Sequence, residues 1–224
     1  GLDLIRALAI ISVLLCHTML LLYPFTKGTI ELLFNVISWA TGFYGVEIFF
    51  VLSGFLIGNI FIKKVVLSGN NENLKLLVGD FWMRRWIRTL PNYFLFLVVN
   101  ILLISLAPET KIETKSFWKY LIFAQSIVPN DSAFFGVSWS LAVEEWFYLL
   151  LPILFALGIW IVKDKKTAFF ISMLLLILLP TVLKIYYAFK LPLYSNTESV
   201  LHYCTFYKLD SIFYGLLTAW FWNK

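Results

Sequence analysis

Six stretches of about 20 mostly apolar residues run through this chain, at approximately 4–23, 42–62, 87–106, 143–162, 168–189 and 206–222. A helix rises 1.5 Å per residue, so each stretch is long enough to cross the hydrocarbon of a bilayer. The predicted fold is all-α: a polytopic transmembrane helix bundle with about six spans. Phe117–Val128 is apolar over only about half a span, which predicts a re-entrant or interfacial helix. Nothing repeats at a fixed period and no low-complexity linker intervenes, so residues 1–224 read as one membrane domain. The first run is too long for the h-region of a secretory signal and lacks a small-residue cleavage pattern, so it too reads as a span. The chain begins at Gly1 and stops at Lys224 soon after an apolar run, and it is expected to be a fragment of a longer protein.

Composition agrees with the spans: 61% of residues are hydrophobic and only 14% charged, against roughly 25% charged in soluble domains. The net charge of +5 reflects the placement of Lys and Arg at membrane boundaries more than a nucleic-acid partner. Cys16 and Cys204 have no CxxC spacing and indicate neither a disulfide framework nor a zinc site.

Loop charges orient the spans. Lys63, Lys64, Lys75, Arg84, Arg85 and Arg88 outweigh Glu72 and Asp80 between spans two and three, and Lys163, Lys165 and Lys166 follow span four. The positive-inside rule makes both loops cytoplasmic. The loop after span three balances Lys111, Lys115 and Lys119 against Glu109, Glu113 and Asp131 and is expected outside. The protein is therefore expected in the cell membrane with a cytoplasmic N-terminus.

The polar residues inside these spans are the functional candidates, because an ionisable group in hydrocarbon is costly and usually serves a pathway or a site. Arg6 and His17 stand eleven residues apart in span one; on a helix they share a face about 16 Å apart. Glu47 enters with span two at the depth expected for His17. In span four, Ser140 and Glu144 are four apart and share a helix face. Asp210 opens span six, and Asp3 lies beside Arg6. His17, Glu47, Glu144 and Asp210, from four spans, are expected to converge on a layer near the outer surface, with Arg6 near the cytoplasmic end. Plainer roles stand beside this one: a snorkelling Arg6, a packed His17, and headgroup-level acids.

An imidazole near neutrality takes a proton from a hydroxyl while a carboxylate orients the ring, which is general-base chemistry suited to acyl transfer. Arg84, Arg85 and Arg88 in FWMRRWIRTLPNY are expected at the inner surface, where guanidinium groups fork onto phosphates or simply mark topology. No GxSxG, HExxH or P-loop motif offers a rival chemistry.

Five runs in order carry a family resemblance: Arg6 and His17 with ten residues between them, GVEIFFVLSGFLIG, RRWIRTLPNY, SWSLAVEEWFYLLLP and YKLDSIFYG. Together they resemble the membrane acyltransferase-3 family, which includes O-acetyltransferases of bacterial surface polysaccharides. The resemblance implies a bundle of roughly ten helices that moves an acyl group, commonly acetyl from acetyl-CoA, to a carbohydrate hydroxyl outside the cytoplasm. It implies that Arg6 and His17 match the family's essential Arg and His, and that Glu144 matches the acid of its Ser-x-x-x-Glu motif. The family core normally continues for several more spans. Where many members have Arg two residues before the span-six Asp, this sequence has Lys208.

The expected activity is O-acyl transfer with His17, Glu144 and Glu47 catalytic. Arg6, Arg84, Arg85 and Arg88 are expected to hold the donor, with Asp3, Ser140 and Asp210 in support. Acyl-CoA is expected as donor substrate with no permanently bound cofactor or metal, and membrane lipid and an envelope glycan as partners. The alternative is a transporter with an intramembrane charged pathway, although no internal symmetry of the transporter kind is visible; a non-catalytic envelope scaffold is a third.

Overall fold

The computed structural model of the protein describes residues 1–67, 73–106, 117–127, 135–190 and 203–224. The loop charges Glu72, Glu109, Lys111, Glu113, Lys115 and Asp131, and Val128 at the end of the expected half-span, lie outside the described residues. Among the described residues, seven α-helices follow in chain order: α1 (Leu2–Leu22), α2 (Thr29–Phe61), α3 (Leu74–Ser105), α4 (Phe117–Leu121), α5 (Trp139–Val162), α6 (Lys165–Lys190) and α7 (Leu209–Trp222). No strand occurs among the described residues.

Among the described residues, five helices are long and apolar enough to cross a membrane: α1, α2, α3, α5 and α6. The sixth expected span corresponds to α7, of which 14 residues are described. Its expected first turn, Thr205–Tyr207, is instead a separate 3₁₀ turn.

Two other helices begin well before the apolar runs that announced them. α2 starts at Thr29 rather than near residue 42 and ends in a π-helical turn at Ile62–Val66. α3 starts at Leu74 rather than near residue 87, behind Asn73, whose side chain accepts from the Lys75 amide at 3.0 Å. Hydropathy sees only the part of a helix in hydrocarbon; backbone hydrogen bonding and a cap extend it through polar residues. Pro91, Pro152 and Pro180 lie inside α3, α5 and α6, a tolerance membrane helices share because neighbours re-satisfy freed backbone groups.

Close packing fixes the helix directions. On α2, Gly54 meets the Ile212 carbonyl, and a Cβ at Gly58 would stand 2.6 Å from Leu216, so α2 and α7 run side by side in one direction. Gly215 returns the fit, its absent Cβ leaving room for the Val51 carbonyl. Small residues let helix backbones approach where no hydrophobic force separates protein from lipid. Gly158 on α5 packs in the same way against Ala168 on α6. Behind these seams, Phe61, Phe81, Phe155 and Phe169 join α2, α3, α5 and α6 edge to face and stacked, with ring centroids 5.2 to 6.5 Å apart.

The α5–α6 corner is only two residues long. Lys163 takes a left-handed conformation, φ 57°, and Asp164 caps α6, its Oδ2 accepting from the Thr167 amide at 2.7 Å and the Thr167 hydroxyl at 2.6 Å. These bonds hold the Asp164 carboxyl below its ordinary range.

The Phe117–Ile127 segment is held between α3 and α5. Tyr93 donates to the Tyr120 carbonyl at 2.8 Å, Trp146 to the Phe123 carbonyl at 3.0 Å, and Gln125 to Ser138 Oγ at 3.1 Å. Tyr93 is twelve residues from the end of α3 at Ser105, so the segment reaches about 18 Å back along that helix, as a re-entrant element does.

Candidate functional site

The described polar interior centres on Glu144. It is 7% exposed and both carboxyl oxygens are used: Ser53 on α2 donates to Oε1 at 2.6 Å and Tyr148, one turn along α5, donates to Oε2 at 2.9 Å. Arg85 and Arg88 on α3 act on the same carboxyl electrostatically. Its neighbour Glu145 faces α3 too, accepting from Thr89 at 2.7 Å. Trp82 donates to the Tyr148 carbonyl at 2.9 Å, so α3 and α5 run antiparallel with Arg85 and Arg88 level with Glu144.

That level brings Arg85 and Arg88, expected at the inner surface, together with Glu144, expected in the outer layer. Arg85 lies eleven residues into α3, about 16 Å from its start. α3 carries its basic run inward because the acids and carbonyls of α5 meet it there. Arg84 stays outside the cluster, exposed and 3.5 Å from Asp80.

A second polar group joins α2, α6 and α7. Lys208 bonds Glu47 and lies 4.8 Å over the Phe43 ring, and Lys184 bonds Asp210. Glu47 and Asp210 are thus ion-paired, and Lys208 serves as a point charge against a carboxylate rather than as a fork.

His17 stands apart from both groups. It is exposed on α1, with no hydrogen bond or ion pair among the described residues. α1 packs on α2 antiparallel: Ser38 donates to the Cys16 carbonyl at 3.2 Å, Gly42 faces Cys16, and Gly45 faces Ala9, Ser12 and Val13. His17 is therefore level with about Ser38, whereas Ser53, the partner of Glu144, is fifteen residues further on, about 22 Å along α2. Glu47 is about 13 Å along the same helix. Neither acid orients the imidazole in this structure, which corrects the expected single outer layer.

Arg6 falls near the level of the Glu144 cluster instead, and its guanidinium bonds Asp3 at 2.9 Å with 38% of its side chain exposed. Ser140 does not reach Glu144; it bonds back to the Val137 carbonyl at 3.5 Å, and Ser53 from another helix takes that place. Ser53, Tyr148, Glu145 and Thr89 were missed from sequence. The spacing of Glu144 to Tyr148 and of Arg85 to Thr89, four residues each, was the available signal. No group of three His, Cys, Asp or Glu that could hold a metal occurs among the described residues.

Apolar spans that bury carboxyls against guanidinium and hydroxyl groups define a multi-pass membrane protein with a polar site inside the helix bundle. The comparisons with known proteins specify the class further. The chain belongs to the acyltransferase-domain family, acyltransferase 3, whose profile matches residues 1–222. It is 35% identical over 180 residues to the peptidoglycan O-acetyltransferase OatA of Listeria monocytogenes, covering 74% of this chain and 25% of that protein. It is 33% identical to YrhL of Bacillus subtilis, provisionally named a peptidoglycan O-acetyltransferase, over 79% of this chain and 27% of that one. To the O-acetyltransferase OatA of Staphylococcus aureus it is 29% identical over 99% of this chain and 34% of the relative. The chain thus spans about a quarter to a third of the length of these relatives. No solved structure matches it.

Proposed function

We propose that this membrane domain serves an O-acyltransferase that takes an acetyl group from acyl-CoA on the cytoplasmic side and places it on a hydroxyl of peptidoglycan or a related envelope glycan. The observation that carries the reading is the register of α1. Arg6 stands near the level of Arg85 and Arg88, and His17 lies about 16 Å away on the same face. Three guanidinium groups at one level suit the anionic end of the donor. An imidazole one donor-arm away suits the reacting end.

In this mechanism Arg6, Arg85 and Arg88 bind the donor's phosphates, and Glu144, fixed by Ser53 and Tyr148, is the counter-charge that sets the arginines. His17 accepts the proton of the acceptor hydroxyl as its oxygen attacks the thioester carbonyl. The C–S bond breaks, the new C–O ester bond forms, and the coenzyme leaves as a thiolate that takes up a proton. The basic loops around Lys75 and Lys165 lie in the cytoplasm and His17 toward the outside, in keeping with the charge asymmetry.

The test uses the full-length protein that contains this domain, in sealed vesicles given radiolabelled acetyl-CoA and peptidoglycan fragments. Label should pass to the glycan as base-labile ester, and His17→Ala should lower kcat on the order of 10²- to 10⁴-fold. Normal insertion of His17→Ala with wild-type turnover would overturn the assignment of the base, and no glycan label from the wild type would overturn the acceptor.

A further inference from the structure

A cavity of about 400 Å³ lies between α3, α5 and the α4 segment, outside the groups assigned to transfer. Trp86, Leu90 and Phe94 form one wall, one turn apart along α3, and Trp146 and Leu149 form another on α5. Its rim is Leu121 and Ile122, which are 47% and 54% exposed. Beside the rim, α3 presents an exposed apolar surface of Leu95, Val98 and Leu102. The mouth of the cavity therefore lies on an apolar flank of a helix long and apolar enough to span a membrane.

A carboxyl faces this apolar space. Glu145 lines it and is 5% exposed. Its Oε1 accepts from Thr89 and the Trp86 side chain stands against the same carboxyl, while its Oε2 is buried with no partner within hydrogen-bond distance among the described residues. A buried acceptor left unpaired is unfavourable, and a donor that reaches it is correspondingly favoured.

We infer that this cavity is a seat for a single-chain alcohol from the membrane, an alkyl or isoprenoid chain whose hydroxyl donates to Glu145 Oε2. The apolar walls suit a chain, and the volume, at the low end of the roughly 300 to 1,000 Å³ of small-molecule sites, suits one chain and not a two-chain lipid. A sugar would bury several hydroxyls against aliphatic and aromatic walls that offer no partners. A phosphate headgroup would meet a carboxyl.

Photo-crosslinking of the full-length protein in palmitoyl-oleoyl phosphatidylglycerol vesicles tests this, with three diazirine probes: hexadecanol, its methyl ether and an acyl-CoA. Crosslinks are mapped by mass spectrometry at Leu90, Phe94 and Leu149, with the exposed Leu102 and Leu103 further along α3 as reference. The alcohol should label the cavity about fivefold more than the ether, the value of one ordinary hydrogen bond. Glu145→Leu should bring the two probes to parity. Leu149→Trp inside and Ile122→Trp at the rim should each lower cavity labelling while reference labelling stays unchanged, which also reports correct insertion. Equal labelling by ether and alcohol in the wild type, stronger cavity labelling by acyl-CoA, or no effect of either tryptophan would overturn the inference.

Discussion

Tyr148 donates its hydroxyl to Glu144 Oε2 at 2.9 Å, one helical turn away, and Ser53 closes the other oxygen from α2. A carboxyl with both oxygens engaged is a fixed charge, not a group free to turn toward a distant ring. Glu144→Gln keeps the shape and removes the charge that Arg85 and Arg88 face. The expected result is an apparent KM for acyl-CoA raised roughly tenfold with kcat changed less than about threefold, since lost ground-state binding appears mainly in KM. Steady-state kinetics of the full-length protein decides it; a fall in kcat alone would return Glu144 to the chemical step.

Glu47 and Lys208 are joined across α2 and α7, with side chains 22% and 9% exposed. Removing one partner of such a pair strands the other, at a cost of about 3 kcal/mol or more, whereas removing both is far milder. Glu47→Gln and Lys208→Met should each lower the unfolding midpoint in detergent, and the double variant should recover most of the loss. Additive losses in the double variant would show that the pair is not coupled.

Gly215 and Gly79 offer a matched contrast. A methyl at Gly215 would overlap the Val51 carbonyl, whereas one at Gly79 meets nothing within 4 Å. Gly215→Ala should destabilise the bundle by about 1 to 3 kcal/mol through overpacking. Gly79→Ala, mid-helix in α3, should gain about 0.5 to 1 kcal/mol. Thermal unfolding of the two variants side by side reads the signs directly.

Asp164 gives a pH signature. Its carboxyl is held below the ordinary range by the Thr167 hydroxyl and amide. The cap's contribution is therefore fully present above the unfolded carboxylate value near 4 and is lost as pH falls through the lower folded value. Wild type should exceed Asp164→Ala in stability at neutral pH, and the two should converge in acid. A gap that stays constant down to strongly acid pH would show that the cap works without its charge.

Orientation is open to labelling. Single cysteines at positions 75 and 165 should resist an impermeant maleimide added to intact cells, whereas one at position 27 should react. Modification of position 75 or 165 before permeabilisation would reverse the topology.

The long apolar runs made the all-helical, membrane-crossing fold legible, because hydropathy and length together determine a span. The starts of α2 and α3 were not legible: Glu31 and the polar stretch before Arg88 lower hydropathy without breaking a helix. The acids and arginines of the interior were all visible as residues. Their pairing was not, since it depends on helix register. Reading Glu144 down from an assumed outer boundary set it beside His17. The contacts of Ser38 with Cys16 and of Ser53 with Glu144 separate them. Ser53 carried no signal at all, being one small residue in an apolar run, picked out only by what lies across from it.

The seam between Gly54 and Gly215 has a consequence in time. The two glycines are about 160 residues apart, so at roughly 5 to 20 residues per second α2 waits about 10 to 30 s after its own synthesis for α7 to emerge. During that interval the notched face of Gly54 and Gly58, with Glu47 beyond it, has no α7 beside it. The Glu47–Lys208 pair forms only when the seam closes. Insertion of α2 and closure of this seam are therefore separate events, and the arrival of α7 sets when the Glu47–Lys208 pair forms.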